Sequence, residues 1–173
     1  MSALDPYVIG QGFPAYTLTG FPNGVCSMGF PALGVTYVLT TAQLLALQTT
    51  AVTLVAAPGA TNILIPDAIT LKYKFGTTAF TIGNADNYFR ISYHGKTTNL
   101  FPSTGAGSML ATGLVDQTAS TILSVRPSNA GAIAETNCAN LGLDIQLEGT
   151  TPALTLGDGS LHISLRYSAV ITV

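Results

Sequence analysis

Ala68-Ile69-Thr70-Leu71-Lys72-Tyr73-Lys74-Phe75 alternates without a break. Ile69, Leu71, Tyr73 and Phe75 share one side, and Thr70, Lys72 and Lys74 share the other. That period of two predicts a strand with one buried face. Towards the N-terminus, Asn62-Ile63-Leu64-Ile65-Pro66 is a second apolar run. Before it, Ala51-Val52-Thr53-Leu54-Val55-Ala56 reads as a strand that stops at the Pro58-Gly59 turn. Towards the C-terminus, residues 76–84 read as a loop and Tyr88–His94 as a strand closed by Gly95. Ser120–Arg126 is a strand stopped by Pro127. Asn140–Glu148 alternates, with Leu141, Leu143, Ile145 and Leu147 inward, and Leu161–Ile171 is a long final strand. Gly157-Asp158-Gly159 marks a tight turn ahead of it.

The reading gives roughly seven or eight strands separated by turn signals, the pattern of an all-β, jelly-roll-like β-sandwich. Two helical signals interrupt it. Thr40-Thr41-Ala42-Gln43 fits a capping box, Thr40 at the N-cap and Gln43 at N3, opening a short helix over residues 40–48. Ser108–Gln117 predicts a second short helix despite Gly113. Nothing resembles the strand–helix alternation of a nucleotide-binding fold. One domain is expected, residues 40–173, preceded by an extended N-terminal arm over residues 1–39.

The arm has its own character. Residues 6–66 contain no Asp, Glu, Lys or Arg. Gly-Phe-Pro occurs at residues 12–14, 20–22 and 29–31. Pro after Phe holds each Phe extended, and the preceding Gly lets the chain bend. An extended, uncharged segment carrying Tyr7, Phe13, Tyr16, Phe21 and Phe30 needs a surface to lie on, and these five residues are the expected partner-binding anchors. Disordered tails have fewer aromatics and more charge.

Composition narrows the function classes. The chain has 173 residues and a net charge of -2, so it lacks the basic footprint of a nucleic-acid binder. Only 8% of residues are charged, where about 25% is usual. Such a chain covers itself with Thr, Ser, Asn and Gln, or with partners. No window reaches the ~20 apolar residues of a membrane-spanning helix, and no signal peptide is apparent. Manufacture in a cytoplasm is therefore expected. Cys26 and Cys138 form no metal pattern, and read as buried or half-buried thiols.

The stock for catalysis is thin. His94 and His162 lie in or beside strands without a second metal-ligating neighbour at suitable spacing. Asp144 and Glu148 share a strand face and could form a glycosidase-like carboxylate pair, but the wet face of a sheet explains them better. Asn84, Asp86 and Asn87 lack EF-hand spacing and read as turn chemistry. Gly105-Ala106-Gly107-Ser108 lacks the Lys and the preceding strand of a phosphate loop. Lys72 and Lys74 face away from Tyr73 and Phe75, unlike a nucleic-acid stacking platform. No enzyme, no metal and no cofactor are expected.

Ala42–Leu47, Val52–Ala60, Ile63–Pro66, Leu71–Gly76, Gly157–Leu161 and Arg166-Tyr167 together resemble small structural proteins of tailed bacteriophages. The similarity is to the capsid cement, or decoration, proteins of cyanophage-like siphophages. The resemblance implies a β-rich subunit on the capsid exterior, assembled in the host cytoplasm, often trimeric. Its implied partners are the major capsid protein and neighbouring copies, with neither membrane nor nucleic acid. The competing expectation is a tail, baseplate or receptor-binding subunit, touching a glycan through residues 84–87 or 96–99.

Overall fold

The structure is a computed structural model that describes residues 33–105, 107–127 and 133–171. Among these residues it holds nine strands, one α-helix and one 3-10 turn. They are β1 (Leu33–Leu39), α1 (Thr41–Ala46), β2 (Val52–Val55), β3 (Asn62–Lys74), β4 (Thr81–Ile82), β5 (Tyr88–Tyr93), β6 (Thr121–Val125), the 3-10 turn Glu135–Asn137, β7 (Leu143–Glu148), β8 (Leu154–Thr155) and β9 (Ser160–Ile171).

The strands form a four-stranded sheet in the order β1-β9-β3-β6, a three-stranded sheet β2-β7-β5 and a small β4-β8 pair. All pairings are antiparallel. Period-two alternation sets the registers. Val35, Leu165, Ile69 and Val125 lie across from one another in the four-stranded sheet, and so do Tyr37, Ile163, Leu71 and Leu123. In the other sheet Val52, Ile145 and Ile91 make the corresponding row. The inward rows of both sheets belong to one hydrophobic core. The Tyr93 hydroxyl spans the two sheets and donates to the Leu64 carbonyl at 2.6 Å. Burial pushes the Tyr93 hydroxyl up to about 12, the nearby Cys138 adding to the effect. The all-β expectation holds, in an arrangement consistent with a β-sandwich.

Helix α1 begins as expected. Thr40 is the N-cap, its hydroxyl accepts from the Gln43 amide, and the Gln43 side chain accepts from the Thr40 N–H. A helix this short depends on packing, which the fully buried Leu44 provides.

Four expectations are corrected. The residues 33–39 assigned to the arm are strand β1, paired with β9 along its whole length. The two runs starting at Asn62 and Ala68 are one strand, β3, which ends at Lys74. It carries a register shift at Pro66/Ala68 against β9. Pro cannot donate to the ladder, so it sits where the ladder is already interrupted. Ser108–Gln117 is not helical. Gly113 adopts φ 82°. The backbone runs beside β5, with the Phe89 N–H donating to Met109 O and the Ala111 N–H to Asn87 O. Gly157-Asp158-Gly159 is not a hairpin turn, because β8 pairs with β4 and not with β9. Asp158 instead accepts from the Thr77 hydroxyl and the Thr77 and Thr78 amides. These bonds, the Thr77 hydroxyl first, hold its carboxyl below the usual carboxylate range.

Candidate assembly surface

The outward face of the four-stranded sheet is built from the positions between the core residues. Thr36, Ser164, Thr70 and Ser124 stand in register across all four strands, a row of hydroxyls spanning the sheet. Thr70 Oγ1 and Ser124 Oγ are 3.0 Å apart and hydrogen-bonded. The next row is Val38, His162, Lys72 and Ile122. Its two ends are exposed apolar side chains, Val38 at 49% and Ile122 at 67%. As expected, Lys72 and Lys74 point away from the core that holds Tyr73. The face therefore offers short hydroxyls, isolated apolar side chains and three exposed cations, Lys72, Lys74 and Arg166.

Beside Ile122, residues of the Gly105–Leu114 loop line a shallow groove of about 230 Å³. Gly105, Gly107, Ser108 and Thr112 contribute to its walls, and no basic residue does. The glycine-rich segment is thus a groove wall and not a phosphate cradle.

The three-stranded sheet differs. Asp144 lies on the face opposite the Leu row, as its parity requires, but its side chain is only 7% exposed. It accepts from Thr53 Oγ1 at 2.8 Å, and its other oxygen lies 2.7 Å from His94 Nδ1. This corrects the expected wet face. Thr53 and His94 come from other parts of the chain, so local sequence does not show them. Arg90 bridges the same face, 2.8 Å from Glu148 Oε1 and 2.8 Å from Gln146 Oε1. Asp144 and Glu148 therefore each hold a partner of their own, an imidazole and a guanidinium.

In the loops considered for glycan contact, several polar groups bond within the chain, while Thr97 and Thr98 are exposed. Asn87 is fully buried and donates to the Thr151 and Ala153 carbonyls. Asp86 Oδ2 accepts from the Thr150 amide at 3.1 Å and also from the Thr150 hydroxyl. Lys96 donates to Asn137 Oδ1 at 3.3 Å. Among the described residues no three His, Cys, Asp or Glu side chains gather into a metal-binding group. Cys138 is a buried thiol, and burial, then Glu135, pushes it further towards the protonated form.

Tyr7, Phe13, Tyr16, Phe21 and Phe30, and with them Cys26, lie outside the described residues. The sequence reading missed the hydroxyl row and the edge strand β1 beside it. The signal for β1 was present in the alternation of Val35 and Tyr37, but no turn separates that strand from the Gly-Phe-Pro run.

No protein-family model matches the chain, and no curated protein does. Among solved structures, the fold is similar to a chain of the cyanophage Pam1 capsid asymmetric unit. The TM-score is 0.46 at 15% sequence identity, over 95% of this chain and 99% of that one. At that level the similarity assigns no activity or partner to this chain.

Proposed function

We infer that this chain is a non-enzymatic virion structural protein of a tailed bacteriophage, a cement subunit on the capsid exterior. The observation that carries the reading is the absence of any charged residue from 6 to 66. That zone continues from the arm into β1, α1, β2 and the start of β3. A charge-free aromatic arm joined to a charge-free sheet edge suits permanent contact with protein.

The mechanism is multivalent. Copies associate, as a trimer, through the sandwich, and their arms reach across neighbours and the major capsid protein. Each Phe of a Gly-Phe-Pro step fills an apolar pocket, and burying one contributes about 1.5–3 kcal/mol. Ordering the arm offsets part of this. Several arms on one oligomer act together through high effective concentration. Low charge makes such attachment insensitive to salt.

The test replaces Phe13, Phe21 and Phe30 by Ala in the full chain and measures binding to capsids lacking this protein. Attachment is expected to weaken at least about tenfold, the equivalent of ~1.4 kcal/mol, with an unchanged melting temperature. Binding equal to the parent chain overturns the role of the arm.

A further inference from the structure

Strand β1 is an outer strand of its sheet. Among the described residues nothing pairs with its free edge. Natural edge strands are guarded by charge, Pro, bulges or brevity. Leu33-Gly34-Val35-Thr36-Tyr37-Val38-Leu39 has none of these. It is seven residues long, uncharged and in unbroken register with β9. The opposite edge, β6, is shorter and runs into Arg126-Pro127. An unguarded edge of this kind is a template for an added strand.

The chain ahead of β1 supplies a segment that fits. Between Pro14 and Gly20 lies Ala15-Tyr16-Thr17-Leu18-Thr19, the five residues that separate the first two Gly-Phe-Pro steps. They alternate, with Tyr16 and Leu18 on one side and Ala15, Thr17 and Thr19 on the other. Set Thr17 opposite Thr36, and Tyr16 and Leu18 continue the layer of Val35 and Tyr37, which pack against the core. Thr17 then extends the outward row of Thr36, Ser164, Thr70 and Ser124.

We propose that the free edge of β1 receives Ala15–Thr19 of a second copy, adding a fifth strand to the sheet. A second copy is within reach: residues 20–32 separate the two segments, and a connection of that length extends to about 40 Å. Head-to-tail donation also closes naturally into a ring. The proposal rests on the assembly reading above and gives the arm its receiving surface.

Facing residues in a sheet bring Cα atoms about 4.5–5.5 Å apart, within the disulfide range of about 4.4–6.8 Å. The test uses full-length chains carrying Cys26→Ser. Thr17→Cys on one tagged copy is co-expressed with Thr36→Cys on another and oxidised. A disulfide joining the two tags is expected, and Leu18→Pro in the donor is expected to abolish it. Ser124→Cys, on the far edge, is expected to give none. A closed single-chain disulfide in the Thr17→Cys/Thr36→Cys double variant, with no link between copies, overturns donation from a second copy. If no link forms while light scattering still reports an oligomer, the proposal fails and the assembly reading stands. A monomer without any link brings down both.

Discussion

The two sheets treat their outward polar residues in opposite ways. On the three-stranded sheet, Asp144 is held by Thr53 and His94, and Arg90 by Glu148 and Gln146, so these side chains pair within the chain. On the four-stranded sheet, Thr36, Ser164 and Ser124 are exposed, and Val38 and Ile122 stand out beside them. Both faces obey the same alternation, so parity names the side a residue takes and not whether water reaches it. One sheet pairs its polar side chains across strands; on the other, Thr70 and Ser124 pair, but Thr36 and Ser164 stand open to solvent. Under the proposed assembly, the open four-stranded face and its β1 edge are the surface left to meet partners.

Substitutions along one strand should break the contrast most sharply. Leu165 is fully buried at the centre of the four-stranded sheet, and Leu165→Ala is expected to cost about 2–5 kcal/mol in urea denaturation. Its neighbour Ser164→Ala should stay within about 0.5 kcal/mol. The equivalent outward position on the other sheet should not be silent. Asp144→Ala removes its bonds to Thr53 and His94, both of which water then reaches, and is expected to cost about 1–2 kcal/mol. Equal effects at Ser164 and Asp144 would erase the distinction between the faces.

A smaller effect tests the link between the sheets. Tyr93→Phe removes the bond to Leu64 and is expected to cost about 1 kcal/mol. The folded hydroxyl titrates above its unfolded counterpart, so the folded state retains the proton longer. Its stabilising contribution is complete below the unfolded value of about 10 and is lost as pH rises towards about 12. Melting temperatures between those limits should fall less steeply for Tyr93→Phe than for the parent.

Much of this architecture was legible. β5, β6, β7 and β9 each carry alternation bounded by Gly, Pro or a loop, and the capping box at Thr40 and Gln43 placed α1 within a residue or two. What escaped was set by partners distant in sequence. β1 looks like the end of the arm until β9, more than a hundred residues later, pairs with it. Asp144 looks solvated until Thr53 and His94 arrive. The Ser108–Gln117 segment has a helical pattern of apolar residues, yet the free edge of β5 claims its backbone. The surface was harder still, because the hydroxyl row exists only once four strands are in register.

The place of β9 has a consequence for how the chain reaches this state. It lies between β1 and β3 and separates them completely. Of the pairings in that sheet, only β3 with β6 can form before Ser160–Ile171 leave the ribosome. Until then β1 has both edges open, next to an apolar arm. Long-range pairings of this kind close late and slowly, and unpaired edges are where chains meet other chains. Under the proposed assembly of copies, folding and association are settled in the same interval, by whichever strand reaches β1 first.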